Sequence, residues 1–178
     1  SIGLVGSEMC IRDRQITYFE ILTAAYFYHA SKFKDKLNII ESGLFHRFDA
    51  TNIIDTNLSS IVTSIGLDHL DWLPKNEQNI EKIVYEKTSS LLNSTIVVSK
   101  QSSDETLNLI KKTINNNQSK KIVYKDDFNY SLSENSFIYY EDEYGGLKLP
   151  KPNLLGNFQI DNCALSLIHI SEPTRPID

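Results

Sequence analysis

From Lys36 to Lys125 short apolar runs alternate with stretches of helical spacing, and this alternation limits the choice of fold more than any other feature of the chain. Lys36–Glu41 (KLNIIE), Ser60–Ile65 (SIVTSI), Thr95–Ser99 (TIVVS) and Lys121–Lys125 (KIVYK) read as four short strands. Between them, Glu77–Leu92 sets Ile80, Ile83, Val84 and Leu91 at helical spacing. Ser103–Asn115 puts Leu107, Leu109, Ile110 and Ile114 on one side of an amphipathic helix. Strands that alternate with helices pair in parallel and are covered on both faces. The expected class is therefore α/β, a mostly parallel sheet flanked by helices. A further helix, Thr17–Ser31 (TYFEILTAAYFYHAS), precedes it and is apolar enough to be largely buried. After Lys125 the runs become short and aromatic. Phe128–Tyr130, Phe137–Tyr140 and Leu147–Leu149, with a turn at Gly145-Gly146, predict a small antiparallel sheet near the C-terminal part. Pro150, Pro152 and Gly156 then interrupt the chain before a last helix opens near Gln159. Asn115–Gln118 (NNNQ) reads as a polar loop.

Composition removes several alternatives. The chain has 178 residues, of which 40% are hydrophobic and 23% charged, so it can build a core and is neither disordered nor fibrous. No apolar run approaches the roughly 20 residues of a membrane span, which argues against a membrane partner. Net charge is -5 and no basic cluster exceeds two adjacent lysines, which argues against nucleic acid. Two cysteines, Cys10 and Cys163, cannot make a disulfide scaffold, so a reducing, cytoplasmic setting is expected.

Basic residues divide the chain. All 14 lysines and Arg47 fall in the middle, whereas Arg12, Arg14 and Arg175 lie in end regions that have no lysine. The end segments Val5–Arg14 (VGSEMCIRDR) and Ser166–Pro176 (SLIHISEPTRP) resemble translated sequencing-adapter read-through. Residues 1–14 and 166–178 are accordingly expected to be adapter-derived, and residues 15–165 to be the genuine segment, open at both ends.

In open α/β sheets, ligands bind beyond the carboxyl ends of the strands. The first expected strand ends at Glu41, a carboxylate suited either to Mg²⁺ or to an ion pair with a residue such as Arg47. The second runs into Gly66–Trp72 (GLDHLDW), where Asp68, His69 and Asp71 make a compact polar cluster. His69 is either a ligand and proton carrier or a helix cap, and Asp68 a turn former. Lys87 taken alone is a solvated helix lysine, His29 and His46 are helix-end and loop residues, and Cys163 is a small packed residue. No GxxxxGK[ST] loop, CxxC or HExxH occurs.

Taken together, these blocks carry a resemblance. TYFE (Thr17–Glu20), Glu41–Asn52 (ESGLFHRFDATN), Thr63–Leu73 (TSIGLDHLDWL) and Glu86-Lys87 occur in the order and approximate spacing of one family. The chain resembles dihydrofolate synthase/folylpolyglutamate synthase, of the Mur ligase superfamily, over nearly the whole of residues 15–165. The resemblance implies part of the Mur ligase central domain, of P-loop type. It implies an ATP-driven ligase that phosphorylates the carboxylate of dihydropteroate or of a folate. L-Glutamate then attacks the acyl phosphate. ATP and Mg²⁺ are the implied cofactors, and a monomer the implied state. Glu41 and His69 match the magnesium ligands, and Lys87 the lysine that is carbamylated and so becomes a third ligand. Lys87 and His69 are thus the implied catalytic pair. Thr17, Tyr18, Phe19 and Glu20, with Phe48, Asp49 and Ala50, match the substrate-contacting segments. Asn162 matches a nucleotide contact, with Gln159 beside it, in LGNFQIDNCA (Leu155–Ala164).

The chain departs from the family pattern at several positions. Phe45 and His46 stand where two glycines are usual, Thr88-Ser89 where Ala-Gly is usual, Phe158 where His is common and Cys163 where Ala is usual. The His69-to-Lys87 interval is about three residues longer than the family's. The family's phosphate loop lies upstream of TYFE, and its glutamate-binding domain downstream of the helix carrying Asn162. The polypeptide by itself is therefore expected to lack ligase activity. Its sheet is expected to show an unpaired edge and an uncovered apolar helix face. The competing readings are another Mur-type ligase, of peptidoglycan-precursor or cyanophycin type, a non-catalytic α/β domain, and a metal-dependent hydrolase on Asp68, His69 and Asp71.

Overall fold

The computed structural model describes residues 16–171, and side chains through residue 168. The first adapter-like segment, 1–14, and the end of the second, 172–178, lie outside the described residues. The chain divides after Ile54 into two units.

In the first unit, helix α1 spans Tyr18–Ala30. Thr17 caps it: its hydroxyl accepts from the Glu20 amide at 3.2 Å, and the Glu20 carboxylate reaches back to the Thr17 N–H at 2.9 Å. Thr23 is buried, whereas Tyr18, Ile21, Leu22 and Tyr28 are exposed. The helix is apolar all round, and burying it would need neighbours on every side. The expectation of a largely buried helix is thus corrected, and that of an uncovered apolar face holds. Lys36–Glu41, expected as a strand, is not one. A strand exists only through its ladder partner, and here Leu37 is 81% and Ile39 98% exposed. A 3₁₀ turn follows at His46–Phe48.

The second unit holds a parallel sheet in the order β1-β2-β3 and an antiparallel sheet in the order β4-β5-β6. Along the chain come β1 (Ser59–Val62), α2 (Ile80–Thr88), β2 (Thr95–Val98), α3 (Asp104–Ile114) and β3 (Lys121–Val123). They are followed by β4 (Phe128–Leu132), β5 (Phe137–Asp142), β6 (Gly145–Pro150) and α4 (Phe158–Ser171). In register, Val97 of β2 faces Ile61 on one side and Ile122 on the other. In the second sheet Tyr140 lies between Tyr130 and Leu147.

Local side chains set the helix ends. Helix α2 starts later than its periodicity suggests because Asn79 caps it, accepting from the Lys82 amide at 2.9 Å. Gln78 just before it donates instead to the carbonyls of Leu70 and Leu73. At its far end Leu91 leaves the helix, and Asn117 donates to the Leu91 and Leu92 carbonyls at 2.8 and 3.2 Å. The Asn-rich tract is therefore a clamp as well as a loop. Ser103 caps α3, with Asp104 and Glu105 in its first turn and Lys111 and Lys112 in its last, as the helix dipole favours.

Ile96, Val97 and Val98 of β2 are at most 1% exposed, so both faces of the central strand are covered. Val97 joins a cluster with Tyr124, Phe128, Tyr130, Ile138 and Tyr140 and with Ile160, Ala164, Leu165, Leu167 and Ile168 of α4. Alternation along the strand sends Ile96 and Val98 to the other face. Buried Ile83 and Val84 of α2, and Leu107, Ile110 and Ile114 of α3, supply apolar surface from the two crossover helices. Gly156 opens the way into α4 at φ +104°, where an added Cβ would collide with the Phe158 ring. Helix α4 runs without a break past Leu165–Ser166, the expected boundary of the genuine segment.

Ile138 is 0% exposed at the centre of this cluster. Ile138→Ala is expected to cost about 2–5 kcal/mol of unfolding free energy, read from urea denaturation. A second prediction concerns acid. Lys125 Nζ lies 2.7 Å from Asp104 Oδ1, and this hydrogen bond and charge hold the Asp104 carboxyl below its ordinary value. A carboxyl with a lowered folded-state pKa stabilises above the ordinary carboxylate range and loses that contribution as pH falls through its folded value. Asp104→Asn should therefore lower the urea midpoint near neutral pH and converge with wild type in strong acid. Added salt should shrink the difference, since both side chains are half exposed or more.

Candidate functional site

The carboxyl end of β1 runs into Thr63–Trp72, and a side chain from the neighbouring strand end holds this loop in place. Gln101, 8% exposed, accepts from the Ile65 N–H at 2.9 Å. It donates to the carbonyls of Thr63 at 3.1 Å and Ser99 at 2.9 Å. Beyond this brace His69 takes a left-handed conformation, φ 53° and ψ 26°. Asp68 Oδ2 lies 3.7 Å from His69 Nε2, and Asp68 Oδ1 lies 3.6 Å from Lys87 Nζ. Two of the sequence-predicted residues, His69 and Lys87, are thus joined through the carboxylate of Asp68. Lys87 comes from the last turn of α2, where its cation also suits the helix dipole. His69 stands at the N-cap position of the 3₁₀ turn Leu70–Trp72, its carbonyl accepting from the Trp72 N–H at 3.1 Å, while its side chain makes no capping bond.

Such a trio can do three things: hold positive charge near an anion, donate from an imidazole, and offer a carboxylate and an imidazole nitrogen to a cation. Among the described residues no group of three or more His, Cys, Asp and Glu could hold a metal ion. Mg²⁺ does not require such a cage, because one or two protein groups suffice when phosphate oxygens and water complete its shell. The donor set fits that mode of binding.

Asn162 and Gln159, the expected nucleotide contacts, stand in the first turns of α4. Asn162 Nδ2 donates to Gln159 Oε1 at 3.2 Å. Between them Asp161 accepts from the Tyr130 hydroxyl at 2.6 Å, tying the start of α4 to β4. Burial, and then the bond to Asp161, push the Tyr130 hydroxyl's pKa well above its ordinary value. Neither this pair nor Gln101 is signalled by the sequence alone. Each acts through a pairing distant in the chain, and a polar residue near a strand end is too weak a signal to announce it. A cavity of about 460 Å³, lined by Lys121, Asp126, Asp127, Phe128, Glu141 and Asp142 among others, contains none of the expected site residues.

In the first unit, the expected substrate segments have structural work of their own. Thr17 and Glu20 make the capping box of α1. Asp49 Oδ2 accepts from the Gly43 and Leu44 amides at 2.9 and 3.3 Å, while Oδ1 accepts from the Thr51 amide at 2.9 Å. Gly43 is wedged between Phe19 and Asp49: an added Cβ would lie 3.0 Å from the Phe19 ring and 3.2 Å from Asp49 Oδ2. Phe48 is 79% exposed, with the Arg47 guanidinium 4.1 Å from its ring centre. Ala50 is half-buried and Glu41 exposed. Phe45, which stands where the family has glycine, is buried.

No protein-family model matches. A dihydrofolate synthase/folylpolyglutamate synthase of Bacillus subtilis is 30% identical over 162 residues, covering 86% of this chain and 36% of that protein. Its Escherichia coli counterpart is 41% identical over 68 residues, covering 38% of this chain and 16% of that protein. The chain is related to the dihydrofolate synthase/folylpolyglutamate synthase family. Solved structures agree. Escherichia coli FolC in complex with DHPP and ADP superposes with a TM-score of 0.67 at 30% identity, covering 86% of this chain and 36% of that one. The apo form of L. casei FPGS gives a TM-score of 0.72 at 22% identity, over 93% of this chain and 40% of that one, and supports the fold. The chain spans little more than a third of the length of the Bacillus subtilis relative.

The capping box of α1 yields a test. Thr17→Ala is expected to cost about 1 kcal/mol by urea denaturation, and Thr17→Ser to restore most of it, because serine caps equally well.

Proposed function

We propose that the whole protein is an ATP-dependent ligase that joins L-glutamate to dihydropteroate, to folates or to both, and that this chain contributes one edge of its catalytic site. The observation that carries the reading is Asp68 placed between His69 and Lys87 at the carboxyl end of β1. Ligands of open α/β sheets bind at such an edge. The names and bound molecules of the relatives support it: solved structures include an FPGS-AMPPCP-folate complex and FolC with DHPP and ADP. Residues 15–165 then correspond to part of a central domain. The reading goes with a monomer in the cytoplasm. No helix among the described residues is long and apolar enough to cross a membrane, and Cys163 is a free thiol.

The chemistry required is charge management. A substrate carboxylate must approach the γ-phosphate of ATP, and the two repel unless cations stand between them. Magnesium would supply the main neutralisation, held in this proposal by His69 and Lys87 together with phosphate oxygens. Lys87 as an ammonium ion is a counter-ion for phosphate, and Asp68 holds it in place. Carbamylated, by addition of CO₂ to the neutral amine with loss of a proton, Lys87 would carry a carboxylate and become an oxygen donor. Asn162 and Gln159 offer amide groups to the nucleotide from the start of α4. Thr17–Glu20 and Phe48–Ala50 line the approach of the pterin-bearing substrate in this reading.

The test uses the longest natural polypeptide containing this chain. ADP release is measured with ATP, Mg²⁺, L-glutamate and either dihydropteroate or a folate. Turnover should require all four components, and Lys87→Ala or His69→Ala should each lower kcat by about 10²-fold or more. Carbon-13 bicarbonate should give a carbamate resonance that Lys87→Arg abolishes. Turnover that ignores glutamate, or that survives both alanine substitutions, would overturn the proposal.

A further inference from the structure

The last paired residues of β1 and β2 are Val62 and Val98, and one more rung follows, from the Ser99 N–H to the Val62 carbonyl at 2.9 Å. Beyond that point the two backbones no longer bond each other directly. Gln101 takes over. Its side-chain amide has one C=O and two N–H groups, the same kinds of acceptor and donor that peptide groups bring to a ladder. The C=O accepts from Ile65, and the NH₂ donates to Thr63 in the first loop and Ser99 in the second. The group is 8% exposed, so its three bonds are made with little competition from water. Only two residues, Gly66 and Leu67, lie between Ile65 and Asp68, and Asp68 is the carboxylate that faces both His69 and Lys87.

We infer that Gln101 is a positioning residue: it extends the β1–β2 ladder by one side chain and thereby fixes the loop that presents Asp68 and His69 to Lys87. The inference rests on the ligase reading for what the loop is used for, while the brace itself rests on the geometry alone. Gln101→Met keeps length and approximate volume but offers neither donor nor acceptor. It leaves the Ile65 N–H and the Thr63 and Ser99 carbonyls without this partner. Gln101→Glu keeps an acceptor, loses both donors, and sets a negative charge against two carbonyls. Protonating that carboxyl restores one donor, so Gln101→Glu should recover as pH falls.

Two measurements decide. Amide hydrogen exchange on the 178-residue chain reads the brace: in Gln101→Met, Ile65 should exchange at least about tenfold faster while Ile96 and Val98 keep their protection. Steady-state kinetics on the longest natural polypeptide read its use. Gln101→Met should lower kcat about tenfold or more with KM for L-glutamate unchanged, and Gln101→Glu should show an acid-favoured limb in kcat that wild type lacks. An Ile65 amide unaffected by Gln101→Met, or a fall in turnover matched by the loss of folded protein, would overturn the inference. Wild-type protein without ATP-dependent turnover sinks the ligase reading and with it any catalytic service by Gln101. The exchange result at Ile65 would still separate that failure from an absent brace.

Discussion

Strand β2 can exist only because both of its faces and both of its edges are taken. Its backbone bonds β1 on one side and β3 on the other, and its side chains are sealed above and below. A parallel strand exposed on a face would leave apolar surface in water, and one exposed at an edge would leave peptide groups open to other chains. Meeting both demands at once requires two crossover helices on one face and α4 on the other. The site follows from this arrangement, because the loop after β1 and the brace after β2 begin where the ladder stops.

Much of the second unit was legible because its strands are dense in β-branched residues and its helices are amphipathic. TIVV and KIV announce β2 and β3, and Ser103 ahead of a 3.6-residue period announces α3. The first unit was harder to read for a physical reason. KLNIIE has a strand's composition, but composition does not supply a ladder partner, and in the structure its Leu37 and Ile39 face solvent. α1 shows the same limit: an apolar helix says that something should cover it, not what does. Asn117 and Gln101 were invisible because each sits in a polar stretch and acts on carbonyls remote in sequence. Lys87 came from family likeness alone, whereas His69 was already marked by its place beyond a strand end. Nothing in their own spacing identified Asp68 as the group that links them.

Asp68 illustrates how a small site can be built from an exposed charge. At 3.6–3.7 Å from both neighbours it makes no tight bond, and at half exposure such contacts contribute little to stability. Their value lies in placement. A carboxylate that loosely holds an imidazole and an ammonium keeps both near the sheet edge without removing them from use. The same economy appears at Asp49, whose two oxygens collect amides from both sides of a loop and so fix the shape of a segment with no regular structure.

Helix α4 gives the second unit a mechanical property that neither sheet has alone. It packs Ile160, Ala164 and Leu165 into one cluster with Val97 of the parallel sheet and Ile138 and Tyr140 of the antiparallel sheet. Interiors of this density transmit displacement rather than absorb it. The first turn of α4 is pinned to β4 by Tyr130, and the body of the helix packs against the underside of β2 at Val97. Asn162 on α4 and the Gln101 brace beyond β2 are thus anchored through elements that share one packed core.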